Sequence, residues 1–269
     1  MQRHLMSLLW LFFFGGFLKM ADAEAVARYM VQFDAKGFEG VIRVNGIPAL
    51  ARSGPLGSSG GAVLNPFMKK GKNLIEIEVS KLSQELSPEL RIEILKNRES
   101  LWTMQLPLDK SPFKHSFEIQ DPEFIATEFW STEPVAGVVD TEILSAVNTF
   151  IKDCKSAIDK KDAHAFMDLS WTRTNIVSVS MGHPVEKSKV EGQFAEVFKS
   201  DTLVVESPKL SDQVISITRY SNSNLFSVKR KDKAAVIQFK FKDGFSVTVK
   251  NPIMGKISGT WKIVGDSAN

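Results

Sequence analysis

From about Tyr29 to Gln120, apolar and polar residues alternate with a period of two, the pattern of strands with one dry and one wet face. Val41-Ile42-Arg43-Val44 and Ile47-Pro48-Ala49-Leu50 flank Asn45-Gly46, the strongest short signal for a two-residue hairpin. Such a turn pairs Val44 with Ile47 and Ile42 with Ala49. It sets Pro48 opposite Arg43 on an edge strand, where a missing N–H does no harm. Further on, Ile75, Ile77 and Val79 alternate with Glu76 and Glu78, and Leu90, Ile92 and Ile94 with Arg91 and Glu93. His115 to Ile119 adds another such piece. These signals predict an antiparallel β-sandwich over residues 24–121.

The period is lost over 122–140, where two prolines and a glycine interrupt any pattern, and this stretch reads as a linker. Residues 141–269 then form a second, α+β unit. Ile143, Leu144, Val147, Phe150, Ile151, Cys154 and Ile158 recur at helical spacing. Asp162 caps a short second helix carrying Phe166, Met167 and Leu169. Ile176 to Ser180 reads as extended, and Pro184 starts a third helix with Val190, Phe194, Val197 and Phe198 on one face. The remainder predicts strands at 203–206, 214–220, 224–230, 234–242, 245–250 and 259–264. In the hairpin around Gly244, only a three-residue loop brings Phe241 opposite Phe245 and keeps the apolar sets on one face. Gly244 is therefore expected in the left-handed region. The fold class is mainly β with α+β: a sandwich followed by three helices on a curved antiparallel sheet.

The first residues read differently. Arg3 and His4 precede the apolar run Leu5 to Leu18, which stops at Lys19, short of a membrane span, and Ala21-Asp22-Ala23 forms an A-x-A cleavage site. Residues 1–23 are expected to be a signal peptide cut after Ala23, giving a periplasmic or secreted protein with no membrane span. Cys154 is the single cysteine, so no internal disulfide can form; on its helical face it reads as a buried small hydrophobe. Beyond Ala23 the chain has 32 basic and 30 acidic residues, interspersed except for Lys229-Arg230-Lys231-Asp232-Lys233, the pattern of a solvated hairpin tip. With no basic stripe interleaved with aromatics, nucleic acid is not an expected partner.

Two resemblances follow from the order of these signals. Ile42-Arg43-Val44-Asn45-Gly46, the glycine-rich loop, Asn65-Pro66-Phe67 and Lys70 to Ile77 together resemble the galactose-binding-like jelly-roll modules. That likeness implies a fold and carries no site residues across. Ile143 to Leu169, with its Lys160-Lys161-Asp162 break, and the terminal strand Gly259 to Val264 resemble the ketosteroid-isomerase and nuclear-transport-factor-like cone. This second resemblance implies a pocket at the open end of the sheet. It also makes a homodimer through the sheet one expectation.

Gly57-Ser58-Ser59-Gly60-Gly61 fits G-x-S-x-G, yet a nucleophile elbow needs a strand running in and a helix running out. Pro55 and Pro66 flank this segment, so Ser59 reads as part of a glycine loop. Gly71-Lys72 lacks the other residues of a phosphate loop. His115, His164 and His183 have no metal-ligand spacing, and no cofactor is expected. In the cone resemblance, an enzyme would use Asp168, His183 or Tyr220, with Trp171 and Arg173 near the mouth. As ligand-binding residues we single out Trp171, Arg173, His183 and Tyr220. The expected function is that of an exported, non-catalytic binding protein recognising a protein partner or a small apolar or amphipathic ligand. Two alternatives stand beside it: a periplasmic immunity or inhibitor protein, and an isomerase- or dehydratase-like enzyme using the cone pocket.

Overall fold

The computed structural model describes residues 27–36, 38–52, 58–82, 89–105, 112–120, 124, 140–180, 184–200, 202–220 and 224–267. The expected signal peptide, nearly all of the linker and His183 lie outside them. The first half carries β1 (Tyr29–Lys36), β2 (Phe38–Val44), β3 (Ile47–Arg52), β4 (Ser58–Val63), β5 (Gly71–Leu82), β6 (Glu89–Lys96), β7 (Glu99–Gln105) and β8 (Phe113–Ile119). They form two four-stranded antiparallel sheets, in the orders β4-β1-β6-β7 and β3-β2-β5-β8. Alternation sends Val31, Ile92 and Ile94 from the first sheet and Ile42, Ile75 and Ile77 from the second into one shared core.

The Asn45-Gly46 hairpin forms with φ of 51° and 85° and pairs Val44 with Ile47 and Arg43 with Pro48. A bulge between Ile42 and Arg43 then sets Ile42 against Leu50 rather than Ala49. Asparagines pin the crossings below this turn. Asn45 Nδ2 donates to Asn73 Oδ1 (2.8 Å) and to the Phe67 carbonyl (2.9 Å). Buried Asn65 accepts from the Tyr29 N–H and donates to the Ala27 carbonyl. Ser58–Val63, expected as a loop, is a strand paired along β1. The physical reason is close packing: a β-carbon on Gly61 would lie 2.8 Å from the Val31 carbonyl oxygen, so glycine lets these backbones meet.

The second half holds α1 (Asp140–Asp159), α2 (Ala163–Ser180) and α3 (Lys187–Ser200). After these come β9 (Leu203–Val205), β10 (Ile215–Arg219), β11 (Phe226–Arg230), β12 (Ile237–Phe241), β13 (Ser246–Val249), β14 (Pro252–Ile257) and β15 (Thr260–Asp266). Their antiparallel sheets run β10-β11-β14-β15 and β13-β12-β9. Asp162 caps α2 by accepting the Ala165 N–H at 2.9 Å. This helix runs through Ser180, so the extended piece expected at 176–180 is helical. Gly244 sits at φ 90°, and the Phe241 N–H donates to the Phe245 carbonyl, the pairing that a three-residue loop requires. Strand β14 was not foreseen.

Apolar residues of all three helices pack on both sheets through Ile143, Val147, Ile151, Phe166, Phe198, Ile237, Phe239, Met254 and Ile263. The opposite face of β10-β11-β14-β15 is also buried. There Leu225, Ile253 and Val264 meet Ile176 and Tyr220 together with Ile47 and Phe67 from the first half. The two halves therefore share an apolar seam.

Candidate functional site

The interior enclosed by the helices and their sheets is filled by aromatic rings. Phe166 lies 4.9 Å from Phe194 and 5.4 Å from Phe198, Phe198 stacks on Phe241 at 5.8 Å, and Phe245 touches both Phe194 and Phe241. These side chains interlock as a core. Cys154 lies beneath them, and burial followed by the charge of Asp153 pushes its thiol far above its usual value. It is no nucleophile.

Of the four residues singled out, Tyr220 lies in the seam between the halves, and Arg173 is linked to it through the charge of Asp266. Burial pushes the Arg173 guanidinium down and the Tyr220 phenol up, with Asp266 acting on both. Lys229, lowered first by burial and then by Arg43, joins this cluster. Asp266 is committed to backbone, accepting the Asn251 N–H at 2.7 Å and the Lys250 N–H at 3.2 Å. Trp171 is half-buried on α2. Asp168 is on the surface in an ion pair with Lys187, beside His164 at 3.6 Å.

Two clefts open elsewhere. One, of about 310 Å³, runs between α1 and α2 over Ser156, Ala157, Ala165 and Leu169, with Asp153, Lys160, Asp162 and Asp168 at its rim. The other, of about 380 Å³, lies on the β4-β1-β6 sheet and is lined by Gln32, Phe33, Asp34, Ser59, Gly60, Arg91 and Glu93. Register explains the grouping, since Phe33 pairs with Gly60 and Asp34 with Ser59 across β1 and β4, while Arg91 faces Asp34 from β6. A β-carbon at Gly60 would sit 2.9 Å from Phe33 Cε1, so the ring of Phe33 packs over this glycine on the core-facing side of the sheet.

The two sheets of the sandwich treat their outer polar residues differently. On the β2-β5-β8 side they satisfy one another across strands, with Arg43–Glu78 at 3.1 Å and Lys114–Glu76 at 2.8 Å. In the larger cleft the only ion pair among the described residues is the loose Arg91–Glu93 contact at 3.9 Å. Of the residues chosen from the sequence, Trp171, Arg173 and Tyr220 line neither cleft. The larger one was hidden because Gln32, Asp34, Ser59 and Arg91 come from three strands whose register no local pattern reveals. Ser59 is exposed within a paired strand, with no helix following it, so it has no elbow geometry.

Among the described residues no group of three or more His, Cys, Asp or Glu is placed to hold a metal ion, and no helix is long and apolar enough to cross a membrane. Comparison with family models, with curated proteins and with solved structures returned no match.

Proposed function

We propose that this is an exported, non-catalytic binding protein that recognises a protein partner through its surface. The supporting observation is the ring packing of Phe166, Phe194, Phe198, Phe241 and Phe245, which occupies the volume that a small apolar ligand would need. The two clefts that open to solvent mix charged rims with small apolar patches, the mixed character of a surface that meets another macromolecule. An inhibitor that blocks a toxin or hydrolase is one form of this reading.

Native mass spectrometry of residues 24–269 purified from the exported fraction of the source cell tests it. A co-purifying polypeptide released under denaturing conditions is the expected result. A bound small molecule of a few hundred daltons, with no polypeptide, would overturn the reading and return the pocket enzyme to first place.

A further inference from the structure

We propose that Asn45 is a fold-protected deamidation site: the native sandwich holds its amide away from Gly46, and opening of the first half exposes it to a conversion that the fold cannot reverse. Asn45-Gly46 is the one Asn-Gly pair in the chain. The reaction is intramolecular. The deprotonated Gly46 backbone nitrogen attacks Asn45 Cγ, ammonia leaves, and a cyclic succinimide remains. Water then opens one of the two ring carbonyls, giving aspartate or isoaspartate. Water is the only co-reactant, and glycine favours the attack because no β-carbon hinders its nitrogen.

In the fold this amide is fully engaged. The Asn45 backbone N–H donates to the Leu74 carbonyl at 2.8 Å, and Asn45 Oδ1 accepts the Leu74 N–H at 3.0 Å. Nδ2 is held by Asn73 Oδ1 and the Phe67 carbonyl. Closing the succinimide ring draws Cγ onto the Gly46 nitrogen and pulls the amide off all three neighbours. The same surroundings reject the product. Asn73 is fully buried, with Oδ1 also accepting the Lys69 N–H at 2.9 Å and Nδ2 donating to the Lys69 and Gly71 carbonyls at 2.8 and 2.9 Å. It cannot turn its amide round to offer a donor. An aspartate at position 45 could accept from Leu74, but its second oxygen would meet two acceptors in a half-buried place. Isoaspartate adds a main-chain carbon to a two-residue turn and spoils the pairing of Val44 with Ile47. A chain that opens and converts therefore cannot rebuild this crossing, and its unfolding becomes irreversible.

The test ages the full chain in buffer and in urea at one mildly alkaline pH, maps position 45 by peptide mass spectrometry, and then refolds each sample. The urea sample should gain the mass of an amide-to-acid exchange at this position while the buffer sample keeps its amide. The refoldable fraction should fall in step with conversion. Asn45→Gly suits the left-handed turn and has no amide to lose, so its aged chains should refold undiminished. Asn45→Asp stands for the product, and aspartate tolerates the same backbone region, so charge is the main change. The two acceptors disfavour its carboxylate and raise its folded pKa. Its deficit in urea midpoint against the unaltered chain should thus be smallest below about pH 4 and widen as pH rises. Among the described residues, none of the three groups that touch this side chain titrates. If Asn45→Asp is unfolded at neutral pH, recovery on acidification is the expected result. Equal conversion in buffer and urea would overturn the protection. A refoldable fraction that ignores conversion, the same loss in aged Asn45→Gly, or a pH-independent deficit in Asn45→Asp would each overturn the rejection of the product.

Discussion

His164 has a carboxylate near each ring nitrogen, Glu191 at 3.1 Å from Nδ1 and Asp168 at 3.6 Å from Nε2. A neutral imidazole has one N–H, so only the imidazolium can donate to both. The hydrogen bond to Glu191, followed by the charges of Asp168 and Glu191, raises its pKa, while Lys187 opposes this. A raised folded value means that the α2–α3 contact is fully strengthened below the ordinary histidine value and is lost as pH rises through the folded one. Titration of the His164 ring signals by NMR should give a midpoint above 6.5, and Glu191→Gln should lower it. A midpoint unmoved by Glu191→Gln would refute the clasp. His115 behaves in the opposite sense. Its ring stacks on Trp102 at 4.1 Å, and burial lowers its pKa. The neutral form is favoured in the fold, so this contribution is present above 6.5 and lost as pH falls through the lower folded value. Imidazolium quenches indole emission, so Trp102 fluorescence should fall with a midpoint below 6.5. His115→Gln should remove that transition.

At the scale of single elements, what was legible depended on whether a segment faced one environment or two. The Gly244 hairpin could be read because a one-residue change of loop length flips every side chain, and only one length agreed with the pattern. The C-terminal half of α2 misled because Ile176-Val177-Ser178-Val179-Ser180 alternates like a strand and is rich in β-branched residues. Within the helix the serine hydroxyls find partners by bonding back along it, Ser180 Oγ to the Val177 carbonyl at 2.9 Å and Ser178 Oγ to that of Asn175 at 3.1 Å. Helix wins there because this segment packs against β15. Strand β4 was missed because glycine carries no hydrophobic signal. Its requirement is nonetheless strict at one position, where Gly61→Ala would press a methyl against the Val31 carbonyl oxygen. We expect that substitution to cost about 1–3 kcal/mol in urea unfolding, in the range of overpacked sites. A loss near zero would mean that β1 and β4 can part freely.

At the scale of the whole molecule, the β10-β11-β14-β15 sheet decides how the halves relate, because both its faces are dry. Met254 and Ile263 point toward the helices, while their neighbours Ile253 and Val264 point into the seam. A strand buried on both sides shows no alternation, which is why Pro252–Ile257 gave no strand signal. The same fact predicts cooperativity. If the first half were removed, Leu225, Ile253 and Val264 would lose the cover of Ile47 and Phe67, and an apolar patch would face water. Calorimetry of the intact chain should therefore show one unfolding transition. Ile253→Ala, which removes a fully buried side chain, should cost about 2–5 kcal/mol. Ile47→Asp places a charge in the seam without touching the core of the second half, so it should uncouple the halves and split the transition in two. Two transitions already present in the unaltered protein would mean that the seam is mere contact. A single transition that survives Ile47→Asp at lower temperature would place the coupling elsewhere, with the polar cluster of Arg173, Lys229 and Asp266 the next set of residues to alter.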